Sequence, residues 1–233
     1  MKLLAIETST DACSVGLSVD GQDLLDHRVV EQQHGELVLP MIDALMAEAG
    51  LVPAQLDGLV FGRGPGSFTG VRIGVAVTQG IALGADVGVV GISTLQSLAQ
   101  GCSRVFGDTH VAASLDARMD ELYLATFAVD ESALMQAASA ERVLAPAAIP
   151  GWLACTEWHW AGSGVDRYAG LMGEQWGVDR ARMRCGRWPE ARDLLTLGRV
   201  EAIAGRLLPP ERAAPVYLRD KVAQTTAERA APG

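Results

Sequence analysis

The sequence predicts an α/β protein of two subdomains, each a mixed sheet flanked by helices. Three observations predict it. Strand-like and helix-like segments alternate in two successive blocks, the second beginning near His110. Asp20-Gly21 separates two apolar-rich runs close to the start, a strong hairpin signal because the favoured two-residue turn needs positive φ at both central positions. All five tryptophans, Trp152, Trp158, Trp160, Trp176 and Trp188, fall in the second block, which suggests a small core of its own.

The elements follow in order. LLAIETS, CSVGLSV and DLLDHRVV read as three strands, the last two joined by the Asp20-Gly21 turn. From about Gly35 to Ala49 the spacing is helical, with Gly50 as the expected C-cap and Pro40 either near the helix start or at a kink. LDGLVFGRG is a strand, followed by the glycine-rich loop from Gly64 to Gly70, a long helix to about Gly84, and the strand VGVVGIS. The second block opens with the strands HVAASLDAR and ELYLATFAV. It continues through an Ala/Pro-rich connector (Val143 to Pro150), a strand near Thr156 to Ala161, a turn at Gly162-Ser163-Gly164 and a helix from about Asp193 to Leu207. The expected division is 1–106, 107–222 and a tail, 223–233.

Two helices carry unusual patterns. In the first, the apolar side chains Leu37, Val38, Leu39, Met41, Ile42, Leu45, Met46 and Ala49 span roughly 200°, where one buried face needs only about 100°. Leu39 and Met46 lie on the surplus flank, and Asp43 with Glu36 marks the polar edge. The surplus fits either a partner surface or a helix wedged between sheet and chain terminus. In the second, Arg72 and Gln79 fall on one line while nearly everything else is apolar or small. Gly70, Gly74 and Thr78 form one small-residue row; Ala76, Gly80 and Gly84 form another. Each interior glycine costs about 1 kcal/mol relative to alanine, so close backbone approach on at least two sides is expected, leaving Arg72 and Gln79 at a reachable edge.

The loop before this helix contains Gly64, Gly66, Ser67, Thr69 and Gly70. Thr69 is the expected cap, with Phe68 and Ile73 as a hydrophobic staple. A glycine-rich turn at a helix N-terminus suits an anion, but the spacing is not that of a P-loop and no lysine follows the last glycine.

Composition narrows the function classes. At 233 residues, 49% of them apolar, the chain can bury roughly 70–75% of its unfolded surface. The N-terminus meets Glu7 after four apolar residues, unlike a signal peptide, and the longest apolar run, Gly80 to Ile92, is broken by Asp86 and short of a membrane span; a cytosolic protein is expected. The four cysteines, Cys13, Cys102, Cys155 and Cys185, lie far apart and read as buried free thiols. Residues 1–166 hold 7 basic and 20 acidic side chains, residues 167–233 hold 12 and 8. The acidic body disfavours broad contact with an RNA backbone. Arg180, Arg182 and Arg184 alternate and would share one face of a strand, Arg187 following, as a solvated edge or as a tRNA or partner contact. Glu7 and Asp116 sit at strand ends, in hydrogen-bonded turns or as metal-binding or general-base carboxylates. No Ser/His/Asp or Cys/His order supports a protease.

LAIETSTDACSVGL, GRGPGSFTGVRIGVAVTQGIALG, GISTLQSLAQG, LDARMDELYLA and PVYLRDKVA resemble, in order and along nearly the whole chain, the TsaB (YeaZ) family. The resemblance implies an actin-like (ASKHA) fold of two ribonuclease-H-like subdomains, the second reduced, and a pseudo-enzyme relative of the catalytic protein TsaD. It implies a role in making threonylcarbamoyladenosine beside the tRNA anticodon, with TsaD as direct partner, the ATPase TsaE as third member, and a homodimer when alone. ATP and a metal ion would belong to the partner subunits and tRNA contact would be indirect. TsaD-like proteins place metal-binding histidines in the segment that here reads Gly91 to Gly101 without a histidine, and the paired glycines of actin-like ATPases are absent, since the chain has no Gly-Gly. The expectation is a subunit with no cofactor, metal or catalytic residue of its own, binding TsaD through Leu39, Asp43, Met46, Arg72 and Gln79. The alternatives are an independent actin-like ATPase or kinase using Glu7 with Asp116, and a tRNA-binding module using the C-terminal arginines.

Overall fold

A computed structural model describes residues 1–30, 32–154 and 157–219. Cys155, Thr156 and the tail 223–233, singled out above, lie outside the described residues. In chain order the elements are β1 (Lys2–Glu7), β2 (Ala12–Val19), β3 (Gln22–Val29), α1 (His34–Glu48), β4 (Gly58–Gly62), α2 (Phe68–Ala85), β5 (Val89–Ile92), α3 (Thr94–Phe106), β6 (His110–Arg118), β7 (Glu121–Val129), β8 (Met135–Ala137), β9 (Arg142–Leu144), α4 (Gly151–Ala154), β10 (His159–Ala161), α5 (Ser163–Trp176), β11 (Met183–Arg184) and α6 (Ala191–Ile203).

The first sheet has the order β3-β2-β1-β4-β5, with β1, β2 and β3 antiparallel and β4 and β5 parallel to β1. The second has the order β11-β10-β6-β7-β8, with β9 also on β7. Here too an antiparallel hairpin, β6 and β7, is followed by strands parallel to its first member. Each half therefore repeats one design, and the second is reduced, its last strand being two residues long. This is the two-subdomain arrangement the resemblance implies. Asp20 (φ 50°) and Gly21 (φ 92°) form the turn between β2 and β3 as the sequence predicts.

Two helices exchange places between the halves. α3, within 1–106, packs Leu95, Leu98, Ala99 and Cys102 against β6, β7 and β8 of the second sheet. α6, within 107–222, packs Ala191, Leu194, Leu195 and Leu197 against Leu3, Ala5 and Val60 of the first. Arg104 of α3 holds Asp193 of α6 with two bonds of 2.9 Å and reaches Glu190 at 3.0 Å. Asp193 is buried, and that burial pushes its carboxyl above the usual carboxylate range against the opposing pull of Arg104. An ion pair thus ties the two exchanged helices together.

Several expectations are corrected. α3 and α5 are not foreseen from sequence; Gly162-Ser163-Gly164, read as a turn, is the entry to α5. Pro40 lies well inside α1, leaving the Glu36 carbonyl without its helical donor. Ala49 is the C-cap of α1 and Gly50 follows it at φ 64°. The expectation that no apolar run is long enough for a membrane span is corrected by α2: at 18 residues it could cross a bilayer by length and composition alone, although its buried row packs within this fold. Arg180 and Arg182 sit in a 3₁₀ turn, so the alternation that would align them with Arg184 is broken. Arg184 instead grips the buried carboxylate of Asp108 at 2.8 and 2.7 Å. Cys13 and Cys102 are buried, and burial pushes their thiols up to about 11 and about 12; Cys185 is exposed. Of the tryptophans, Trp160 is fully buried in one apolar cluster of the second half, Trp158 and Trp176 pack against that cluster, and Trp152 is exposed.

Candidate functional site

α2 borders two distinct regions of the surface. The first is a cleft of about 970 Å³ between the lobes. Its near wall is the connection after β1 (Ser9 to Asp11), His34 at the start of α1, and the glycine-rich loop with the first turn of α2. Its far wall is β6 from Leu115 onward with Tyr123, Ser163 and Arg167, and the segment Val216–Arg219 closes one side.

The loop's glycines have a packing reason. A Cβ on Gly66 would overlap the Ser9 carbonyl, and one on Gly70 the Thr8 carbonyl. The gap is used by hydrogen bonds: Ser67 N–H donates to Ser9 O at 2.7 Å and the Thr8 hydroxyl donates to Gly70 O at 2.8 Å. Gly64 adopts φ 94°, and its carbonyl accepts from Thr94 N–H at 3.0 Å. The cap of α2 is Ser67, whose Oγ accepts from Gly70 N–H at 3.4 Å, so Thr69 is corrected to an exposed first-turn residue. Phe68, expected as one half of a staple, is exposed too and lies under the Arg72 guanidinium, 3.5 Å from its ring centroid.

Glu7 and Asp116 are both held in turns. Glu7 is fully buried and accepts from Ser9 N–H at 2.8 Å, from the Ser9 hydroxyl, and from the Thr94 hydroxyl at 3.3 Å. Burial outweighs these bonds and pushes its carboxyl up. Its side chain lies beneath the cleft and does not line it, and Gly62 is required above it because a Cβ there would overlap the carboxylate. Asp116 does line the cleft, accepts from Arg118 N–H at 2.9 Å, and pairs with Arg118 and Arg167 at 3.3 and 3.2 Å.

The second region is the outer side of α1 and α2. Leu39 and Asp43 are exposed, Leu39 at 48%. Met46 is corrected: it is 6% exposed and part of the first core. Along α2, the row Gly70, Gly74 and Thr78 is buried, a Cβ on Gly74 meeting the Thr8 hydroxyl at 2.6 Å. The row Ala76, Gly80 and Gly84 is exposed, and nothing lies within 4 Å of a Cβ built on Gly80 or Gly84. The expectation of packing on two sides therefore holds on one side within this chain. Leu83 beside the open row is 59% exposed. Gln79 is half-buried and Arg72 exposed, yet Arg72 is engaged, donating from Nε to the Tyr217 hydroxyl at 2.8 Å.

Tyr217 and Arg219 were not singled out from sequence, although PVYLRDK contains them. Val216 N–H donates to Arg63 O at 2.8 Å, and Arg219 pairs with Glu121. The segment thus crosses from α2 to the β6–β7 hairpin, whose turn residues Arg118, Met119 and Asp120 all have positive φ.

Comparison with known proteins decides the family. A tRNA threonylcarbamoyladenosine biosynthesis protein TsaB from Escherichia coli is 38% identical over 227 residues, 96% of each chain. This chain belongs to the TsaB family. The TsaB protein of Haemophilus influenzae is 46% identical over 123 residues, about half of each chain. The YeaZ structure from Pseudomonas aeruginosa superimposes with a TM-score of 0.83 at 37% identity, covering 93% of this chain and 99% of that one. A second structure, described as similar to the peptidase YeaZ from Pseudomonas aeruginosa, gives 0.86 at 39%. The family model for TsaD, tRNA N6-adenosine threonylcarbamoyltransferase, matches residues 28–158, which run from the end of β3 to the edge of β10 and include both α1 and α2.

Proposed function

We propose that this chain is a non-catalytic subunit of the assembly that makes threonylcarbamoyladenosine in tRNA, and that it binds and activates TsaD through the open side of α2 and the adjoining exposed part of α1. The relatives named above support the pathway. The observation that carries the docking face is the open row of α2. Two interior glycines, at about 1 kcal/mol each relative to alanine, face space inside this chain, so their smallness serves something outside it. Small residues let two helix backbones approach closely and pack over a long stretch. The TsaD family model spans the α1–α2 region of this chain, so a helix of matching kind is expected on TsaD.

Two features support the absence of catalysis by this subunit. Glu7 is sealed under the cleft, and the Ser9 hydroxyl is committed to Glu7 and Thr94. Asp116 is neutralised by two arginines. ATP and metal chemistry belong, in this reading, to TsaE and TsaD, tRNA is met indirectly, and the assembly is cytoplasmic. In the absence of TsaD the same face pairs two copies of this chain, so homodimer and heterodimer compete. Light scattering on the purified chain with and without TsaD tests this: a dimer converting to a one-to-one complex is expected, and a chain that remains monomeric alone and never joins TsaD overturns it. Calorimetry with Mg-ATP on the isolated chain separates it from an ATPase, which would bind and turn over nucleotide.

A further inference from the structure

We propose that the segment Leu208–Arg219 is a strap that sets the angle between the two lobes, with Arg219 as its latch on the second lobe, and that releasing the latch frees the tip of the β6–β7 hairpin and lets the lobes part. The strap follows α6 and stays on the first lobe for nearly all of its length. Leu208 and Val89 of β5 exchange backbone hydrogen bonds of 2.8 Å in both directions. A 3₁₀ turn at Pro210–Arg212 packs against α2, and Ala213 is buried in the first core. Val216 N–H donates to Arg63 O at 2.8 Å. Tyr217 then meets the start of α2, its hydroxyl accepting from Arg72 Nε at 2.8 Å and its ring lying 6.1 Å from that of Phe68.

Only the end of the strap crosses to the second lobe. Among the described residues, every hydrogen bond from the strap to that lobe comes from the Arg219 guanidinium, which donates to Glu121 at the start of β7, to Arg118 O at 3.4 Å and to Met119 Sδ at 3.5 Å. A planar guanidinium with its fork of donors is suited to holding several acceptors at once. The Arg219 side chain is only 18% exposed, so salt screens this pair less than one in open water.

Arg219 holds a strained backbone. Arg118, Met119 and Asp120 have φ of 61°, 55° and 54°, and none of them is glycine. L-residues enter the left-handed region singly, because Cβ there crowds the following carbonyl, so three in succession persist only where contacts outside the turn hold them. All three residues are exposed, and core packing therefore does not hold them. Restraint comes from two directions. Within the second lobe, Arg118 N–H donates to Asp116 at 2.9 Å and Arg167 pairs with Asp120 at 3.2 Å. From the first lobe comes Arg219. Relaxation of the turn thus opposes the latch, while Arg104 and Asp193 keep α3 and α6 joined, so release leaves two lobes on a hinge.

The proposal does not depend on what docks on α2, and its test uses the isolated full chain. Spin labels are placed at Val52→Cys in the first lobe and Glu174→Cys on α5, both exposed positions, with Cys155→Ser and Cys185→Ser in the background. Dilution with unlabelled chain restricts the measurement to distances within one molecule. Arg219→Glu is expected to add a second, longer distance and to speed amide exchange at Arg118–Glu121 about fivefold. Glu121→Arg should do the same, and the double exchange Arg219→Glu with Glu121→Arg should return part of the way to wild type. Arg206→Ala, which breaks an ion pair with Glu201 inside the first lobe, should change neither reading. Where Arg219→Glu does not fold, Glu121→Gln is read in its place. A distance distribution and exchange rates that stay at wild-type values, an equal response to Arg206→Ala, or a double exchange no closer to wild type than the single changes overturns the latch.

Discussion

Two rows of small residues run along α2, alike in composition and opposite in surroundings. Gly70, Gly74 and Thr78 are buried, and at the two glycines the Thr8 backbone and hydroxyl, just past β1, leave no room for a Cβ; Ala76, Gly80 and Gly84 are exposed, with open space around the two glycines. The inner row is accounted for by contacts of the chain with itself. The outer row is not, and its conformational cost remains as an unspent feature of the isolated subunit. Identical residue types on one helix can therefore serve folding on one side and association on the other, and only the neighbours distinguish them.

The inner row is most sensitive at Gly70. Gly70→Ala drives a methyl group into the Thr8 carbonyl, and is expected to destabilise the fold by about 3 kcal/mol, read as a lowered urea midpoint. Gly80→Arg should do the reverse: with nothing near its Cβ, folding stability changes by less than about 1 kcal/mol, while affinity for TsaD drops about a hundredfold, measurable by calorimetry. Gly74→Ala meets a hydroxyl that can rotate, at 2.6 Å, so a loss of about 1–2 kcal/mol is expected. Equal effects at Gly70 and Gly80 would erase the distinction between the rows.

Smaller effects sharpen it. Next to Thr8, Glu7 is held with its carboxyl pushed up by burial. A raised acid favours the folded state below its unfolded pKa, and that contribution is lost as pH rises through the folded value. Wild type should therefore lose stability on this account as pH climbs from the ordinary carboxylate range, whereas Glu7→Gln should show a flatter profile in urea midpoints taken across pH. Tyr217→Phe removes one exposed hydrogen bond to Arg72, and should change stability by no more than about 0.5 kcal/mol.

Sequence reasoning located the first seven strands, β10, and α1, α2 and α6 because their signals are local: the Asp20-Gly21 turn, the alternation in CSVGLSV, the helical spacing after Gly35. It lost α5 because Gly162-Ser163-Gly164 has turn composition, while in the fold Gly164 is there for close packing, a Cβ meeting the Ser114 hydroxyl at 2.7 Å. It placed Met46 outside because α1 is covered over a wider arc than one sheet face would cover. The exposed positions Leu39, Asp43 and Arg72 were legible from helical angle alone. The cleft was not: His34, Arg167 and Tyr217 come from three distant segments, and Arg104 meets Asp193 across 89 positions of sequence. Nothing local encodes such meetings.

The exchange of α3 and α6 between the lobes has a consequence for synthesis of the chain. While the ribosome is still adding residues, β1, β4 and β5 can pair early, yet one face of that sheet, with Leu3, Ala5 and Val60, waits for Leu194, Leu195 and Leu197. An amino-terminal fragment ending at residue 106 would carry that apolar face uncovered and α3 without its sheet. The first-made lobe is thus completed late, and the nascent chain depends on α6, or on a chaperone until α6 emerges, to keep that apolar face covered.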